Sequence, residues 1–253
     1  MKNLKGSALL LSATAGVLLA LTGCASVSDK PAGTTSAGAE NTPEAVQITV
    51  PDATEVFPKT VATMDKASSV TLNGDISSGS ESAKIMLSGN KDGSNTKATI
   101  TTKDGTLDLL IVDGDNYLKA DKKFLAKTAG EEAADMLATL AGDKWISVKD
   151  ASQFGNFNLG SMLESFGTDK MVKVEAPKVT AKSLEDLNGV KTFKYVGDKT
   201  NFWIAAEGEP YLLQVEGTGS AKEATGTMTF SDWNAVAPHK APATTEVISI
   251  PGL

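Results

Sequence analysis

Apolar positions along this chain change their spacing several times, and each change marks an element. Residues 7–21 form a largely apolar run behind Lys2 and Lys5, and small residues lead from it to Cys24. Over 25–44 the apolar signal dissolves into Ala, Ser, Thr, Gly and Pro. It returns at Val56, Phe57, Val61, Met64 and Ala67, mostly three and four residues apart, with Lys59, Thr63 and Lys66 between them. That spacing predicts an amphipathic helix over 54–68. Pro58 fits only a first turn, which argues for a start later than Thr54.

Short segments rich in Thr, Val and Ile follow, at 70–77, 82–88, 96–102, 107–112 and 117–120, and they read as an antiparallel meander. The links Asn90-Lys91-Asp92-Gly93, Lys103-Asp104-Gly105 and Asp113-Gly114-Asp115-Asn116 supply residues that tolerate positive φ, as tight hairpins require. Leu107, Leu109, Leu110, Ile111 and Val112 are apolar on both faces of their strand, so it is expected to be covered twice or to lie inside the sheet. From Lys122 the pattern turns helical, with Phe124, Leu125, Met136, Leu137 and Leu140 around a break at Gly130-Glu131-Glu132. A short strand is expected at 145–148, then an apolar stretch of loop and helix with Phe154, Phe157, Leu159, Met162, Leu163 and Phe166. A second meander closes the chain at 190–196, 201–206, 211–217 and 224–230. Helix, strands, helices, strands is the order of an α+β fold in which a curved antiparallel sheet, a half-barrel, wraps around helices; a closed barrel is the competing layout.

The N-terminal pattern is that of an export signal with a lipoprotein cleavage site at Leu21-Thr22-Gly23-Cys24. An uncleaved anchor needs about 20 apolar residues, more than this run holds. The segment resembles bacterial lipoprotein signals, which implies a diacylglyceryl group on Cys24 and cleavage just before it. The expected organisation is a signal peptide over 1–23, a flexible tether over 24–50 and a single domain over 51–253. Loss of the signal moves the net charge from −7 to −9, and every basic residue is lysine. Nucleic acid is therefore a poor partner, and no guanidinium is present for bidentate grip on phosphate. Cys24 is the only cysteine, so no intramolecular disulfide supports the domain.

Trp203-Ile204 in a strand, a Gly208-Glu209-Pro210 turn, Tyr211-Leu212-Leu213-Gln214-Val215-Glu216 and Thr229-Phe230-Ser231-Asp232-Trp233 stand in a telling order. Together with the cleavage motif and Tyr117-Leu118-Lys119 before a helical segment, they make the chain resemble the actinobacterial lipoproteins of the LppX/LprG type. The resemblance covers most of the domain. It implies a half-barrel similar to the LolA and LolB carriers, with acyl chains held in the apolar space between sheet and helices.

Acyl burial is non-directional and demands few exact residues. The candidate lining is Ile85, Leu87, Leu109, Ile111, Met136, Leu140, Phe157, Met162, Leu163 and Phe166, with Phe193 and Trp203 on strands that face the same space; ordinary core packing explains the same residues equally simply. Catalytic equipment is sparse. The sole histidine, His239, lies in a proline-bounded segment expected to be solvated, and without a second one zinc sites and Ser-His or Cys-His pairs lose their usual members. A calcium loop beginning at Asp113 has Phe124 where a glutamate belongs. No enzyme, metal or cofactor is expected. The partners implied are the membrane, through Cys24, and a lipid or glycolipid ligand; any protein partner is unknown. Two functions remain: a lipid-binding or lipid-shuttling lipoprotein on the outer face of the cytoplasmic membrane, or a non-catalytic surface or scaffold lipoprotein with a filled core that contacts protein or cell wall.

Cys24→Ala is expected to leave the domain folded while moving the protein to the soluble or unprocessed fraction. Fractionation and immunoblotting check this, and membrane retention of a processed variant contradicts it.

Overall fold

The computed structural model describes residues 48–149, 159–219 and 225–250. Cys24 and Phe157 lie outside them. A helix, α1 (Ala53–Lys66), leads into five strands, β1 (Ser69–Ser78), β2 (Glu81–Asn90), β3 (Asn95–Thr102), β4 (Gly105–Val112) and β5 (Asp115–Ala120). Two helices, α2 (Lys122–Ala129) and α3 (Glu131–Ala141), precede β6 (Trp145–Val148). Then come α4 (Leu159–Glu164), a π-helix (Thr168–Glu175) and a 3-10 turn (Ala176–Lys178). The chain closes with β7 (Ala181–Leu187), β8 (Val190–Val196), β9 (Thr200–Ala205), β10 (Leu212–Gly217), β11 (Thr225–Ser231) and β12 (Val247–Ser249).

All twelve strands join one curved, open sheet in the order β12-β6-β5-β4-β3-β2-β1-β11-β10-β9-β8-β7. Every neighbouring pair is antiparallel except β12 on β6. The edges, β12 and β7, do not meet, so the layout is the half-barrel and not the closed barrel. The mixed pairing departs from the expected all-antiparallel sheet at that one edge.

Turn chemistry sets much of the register. Asp113-Gly114 and Asn188-Gly189 each place two residues at positive φ, 53° and 89° in the first turn and 55° and 86° in the second. These values match the two-residue type I′ hairpin, whose twist suits the flanking strands. Val112 therefore pairs with Asp115, and Leu187 with Val190. At Gly105 (φ 122°) a Cβ atom would fall 2.2 Å from Asp121 Oδ1. That carboxylate is occupied: Oδ1 accepts from the Phe124 amide at 2.8 Å, capping α2, and Oδ2 accepts from the Thr106 amide at 2.8 Å. Glycine at 105 lets the cap close against β4.

The concave face of the sheet carries the core. Val70, Leu72, Leu87, Ala98, Leu109, Tyr195, Phe202, Ile204, Leu212, Val215 and Phe230 pack there against Val56, Phe57, Val61 and Met64 of α1, with Leu159, Leu163 and Met171 beside them. Phe57 is fully buried, its ring 5.1 Å from both Tyr195 and Phe202. α1 runs from Ala53 straight through Pro58, earlier than expected. Pro58 and Thr54 are both exposed, so water satisfies the Thr54 carbonyl that the proline leaves without an intrahelical donor. At the other end Lys91 Nζ donates to the Met64 and Asp65 carbonyls, at 3.1 and 2.7 Å. β4 is buried on both faces, with Leu107, Leu109, Leu110 and Val112 all inaccessible, as its composition implies.

β7, β12 and the π-helix are elements that the hydrophobic pattern does not announce. His239 also departs from expectation. It is half-buried, its ring nitrogen donates to the Ser88 carbonyl at 2.9 Å, and its backbone exchanges two hydrogen bonds with the Asn95 amide group. The segment after β11 is thereby strapped along the sheet, starting from the Asn234 amide, which donates to the Ser69 carbonyl at 2.9 Å.

Tyr195 provides a test of the core. Its ring is buried, its hydroxyl donates to the Pro51 carbonyl at 3.1 Å, and burial followed by the charges of Asp52 and Glu55 pushes its phenol far up. A raised folded-state value means stability that is fully present below about pH 10, the ordinary tyrosine value, and lost as pH climbs above it. Tyr195→Phe is expected to lose about 1 kcal/mol at neutral pH and to weaken the alkaline loss, read as urea midpoints at about pH 7 and about pH 11.

Candidate functional site

Side chains alternate along a strand, so inward residues of neighbouring strands form one continuous surface. Along β1 that surface carries Leu72, Gly74 and Ile76, and opposite them on β11 stand Phe230, Met228 and Gly226. β10 adds Val215 and Gly217, paired with Met228 and Gly226. Gly226 is required by the backbone: at φ 138° its missing Cβ would lie 2.0 Å from the Asp75 carbonyl oxygen. Gly74 has room for a Cβ, 3.7 Å from Ile76 and Met228 side-chain atoms, and its hydrogen leaves that room unused.

Where Gly217 and Gly226 thin the wall, the helices do not fill the space. A cavity of about 370 Å³ remains between the concave face and the π-helix. Ile76, Val215, Met228 and Phe202 form its floor, and Phe166 and Met171 its roof, with Thr200, Thr225, Ser165 and Lys170 completing the lining. A row of aromatic rings leads to it from the surface. Tyr211 stacks on Trp233 at 4.9 Å, Trp233 on Phe230 at 6.1 Å, and Phe230 meets Phe166 edge-on at 5.7 Å. Trp233 is held by its indole N–H, which donates to the Leu212 carbonyl at 3.0 Å. Phe230 and Trp233 thus support one wall.

A larger concavity, about 530 Å³, lies at Ser68, Asn90, Lys91, Asp92, Ser161 and Glu164, where polar side chains predominate, and it opens to the surface. A third, about 450 Å³, lies on the convex face among Thr99, Thr101, Thr227, Thr229 and Met86. Among the described residues no cluster of three His, Cys, Asp or Glu side chains is placed to hold a metal ion. The cavity on the concave side is the candidate site because its lining is mostly apolar and it lies between the two layers.

The residues singled out in the sequence scatter around it. Phe166 lines the cavity. Leu87, Leu109 and Leu163 are buried in the core, and Ile85, Ile111, Met162 and Phe193 pack partly buried against it. Met136 and Leu140 do not face the interlayer space: both are 57% exposed on α3. α3 packs against α2 instead, and the buried side of α3 is made by Ala134 and Ala141. Trp203 is turned to the convex face, because its neighbours Phe202 and Ile204 take the inward positions. There Lys194 Nζ sits 5.0 Å over its ring and Glu185 lies alongside. Burial raises the Glu185 carboxyl, yet hydrogen bonds from Ser183, Lys194 and Trp203 outweigh it and leave the group below its usual value. Ile76, Phe202, Val215, Met228, Lys170 and Met171 escaped the sequence reading. The signal available was glycine inside strands, at 217 and 226.

No protein-family model matches this sequence, and no curated protein does. Among solved structures, the chain is similar to the lipoprotein LppX of Mycobacterium tuberculosis, at 13% identity and a TM-score of 0.41, over 72% of this chain and 94% of that one. It is also similar to an uncharacterized conserved protein of Thermus thermophilus, at 8% identity and a TM-score of 0.34, over 78% of this chain and 99% of that one.

The placements predict unequal costs. Met136→Ser and Leu140→Ser are expected to shift stability by no more than about 0.5 kcal/mol, read as urea midpoints. Leu109→Ala is expected to cost about 2–5 kcal/mol in urea unfolding, as a fully buried side chain should.

Proposed function

We propose that this protein is a lipid-anchored protein of the outer face of the cytoplasmic membrane that binds or shuttles the acyl chain of a lipid or glycolipid. The observation that carries this reading is the mostly apolar cavity of about 370 Å³ between sheet and helices. Its volume falls within the range of about 300–1,000 Å³ usual for small-molecule sites. Its walls require no directional chemistry to hold a methylene chain. The action is passive: a chain leaves the bilayer for the cavity and departs where another site binds it better, with no bond made or broken. The cleavage motif at Cys24 supports the anchor, and the Ala, Ser, Thr, Gly and Pro tether gives the domain reach from the membrane. Among the described residues no helix is long and apolar enough to cross a membrane.

The alternative is a surface or scaffold lipoprotein whose concave side is closed by its own side chains. What favours it is the continuous core, which runs from α1 across most of that face.

Native mass spectrometry of the purified protein separates the two, with copurifying lipid expected; repeated absence of lipid together with no uptake of a fluorescent acyl probe sinks the carrier reading. For probes of increasing length, the dissociation constant is expected to fall about fourfold per methylene until the cavity is full. Val215→Trp is expected to block uptake, at an overpacking cost of about 1–3 kcal/mol in stability, whereas Val215→Ala retains it.

A further inference from the structure

The cavity lining includes one ionisable side chain among the described residues, Lys170 of the π-helix. Its Nζ lies 3.0 Å from Glu175 Oε1, and the two side chains are 58% and 6% exposed. A carboxylate buried to that degree is costly without a counter-charge, so Glu175 holds the ammonium in place. The pair is five residues apart, a spacing that the wider winding of the π-helix brings together. An ammonium has three donors, and the ion pair with Glu175 leaves donors for a second partner. The rest of this exposed group stands at the edge of an apolar cavity whose described lining holds no carboxylate, while the hydroxyls of Thr200 and Thr225 are nearby in the same lining. This is a cationic spot on a protein whose net charge is −7.

Resting on the acyl-binding reading above, we infer that the ligand is a single-chain amphiphile with an anionic head, a carboxylate or a phosphate monoester. The tail occupies the space among Phe166, Met171, Val215 and Met228, and the head accepts hydrogen bonds from Lys170. One chain fits a cavity near the lower end of the usual volume range of about 300–1,000 Å³. Lys170 selects the head by charge, and Glu175 is a positioning residue that fixes where the charge stands.

The test compares a fluorescent polyene fatty acid with its methyl ester, titrated into the full chain at low ionic strength. The acid is expected to bind about fivefold more tightly, the upper range for a partly exposed ion pair, and salt should narrow the difference. Lys170→Met alone leaves Glu175 buried and uncompensated, so the informative variant is the double Lys170→Met, Glu175→Gln. It is expected to bind acid and ester alike at the wild-type ester affinity, whereas Glu175→Gln alone keeps a preference for the acid. Inorganic phosphate alone is expected not to displace the fatty acid. Equal binding of acid and ester by the wild type overturns the inference, as does an acid preference that survives in the double variant, or displacement by inorganic phosphate at concentrations matching the acid. Binding of neither probe removes the acyl-binding reading itself, and the head-group assignment falls with it.

Discussion

An open sheet of twelve strands has one apolar face to keep from water, and α1 is the element placed to cover it. Only Ala67 and Ser68 separate α1 from β1, a strand near the middle of the sheet, so the helix has little freedom in where it lies. Phe57 nevertheless touches Tyr195 and Phe202, which belong to β8 and β9 near one edge. α1 therefore lies across several strands, and its 14 residues, about 21 Å long, span from the middle of the sheet toward β8. α4 and the π-helix extend the cover beyond α1, and the cavity opens where that cover meets strands thinned by Gly217 and Gly226. Core and cavity are thus consequences of one packing demand.

The parts of this arrangement that were legible in the sequence are those where period and turn chemistry agree. β1 to β6 and β8 to β11 announce themselves through short runs of β-branched, aromatic and aliphatic residues between Gly, Asp and Asn. β7 does not, since Ala181-Lys182-Ser183-Leu184-Glu185-Asp186-Leu187 is composed of helix-tolerant, charged residues. It is an edge strand, and with a partner on one side only it has little need of β-branched packing. Asn188-Gly189 was the stronger signal, a two-residue hairpin turn that names its flanking strands. β12, at three residues, is too short for any period to register.

The site was less legible than the fold for a physical reason. An inventory of large apolar side chains finds what fills space, and a cavity is defined by what leaves it empty. Leu87, Leu109 and Leu163, candidates for the lining, belong to the filled core, whereas glycines and a lone lysine mark the unfilled part. Trp203 shows the other limit: a large aromatic on a strand is apolar whichever way it points, and the inward places were already taken by Phe202 and Ile204. Met136 and Leu140 obey a helical period, but a period does not say whether anything covers the stripe.

The strap after β11 has a consequence for how the protein comes to exist. It carries the chain from the middle of the sheet to its far edge, where Val247, Ile248 and Ser249 pair with Trp145, Ile146 and Ser147 of a strand made about one hundred residues earlier. Until β12 is in place that edge of β6 is bare, and β1 likewise waits for β11. Such distant pairings bear the full entropy of loop closure before they return any contact energy. The sheet is therefore completed by its most distant pairings, and Val247, Ile248 and Ser249 act as the clasp on the β6 edge.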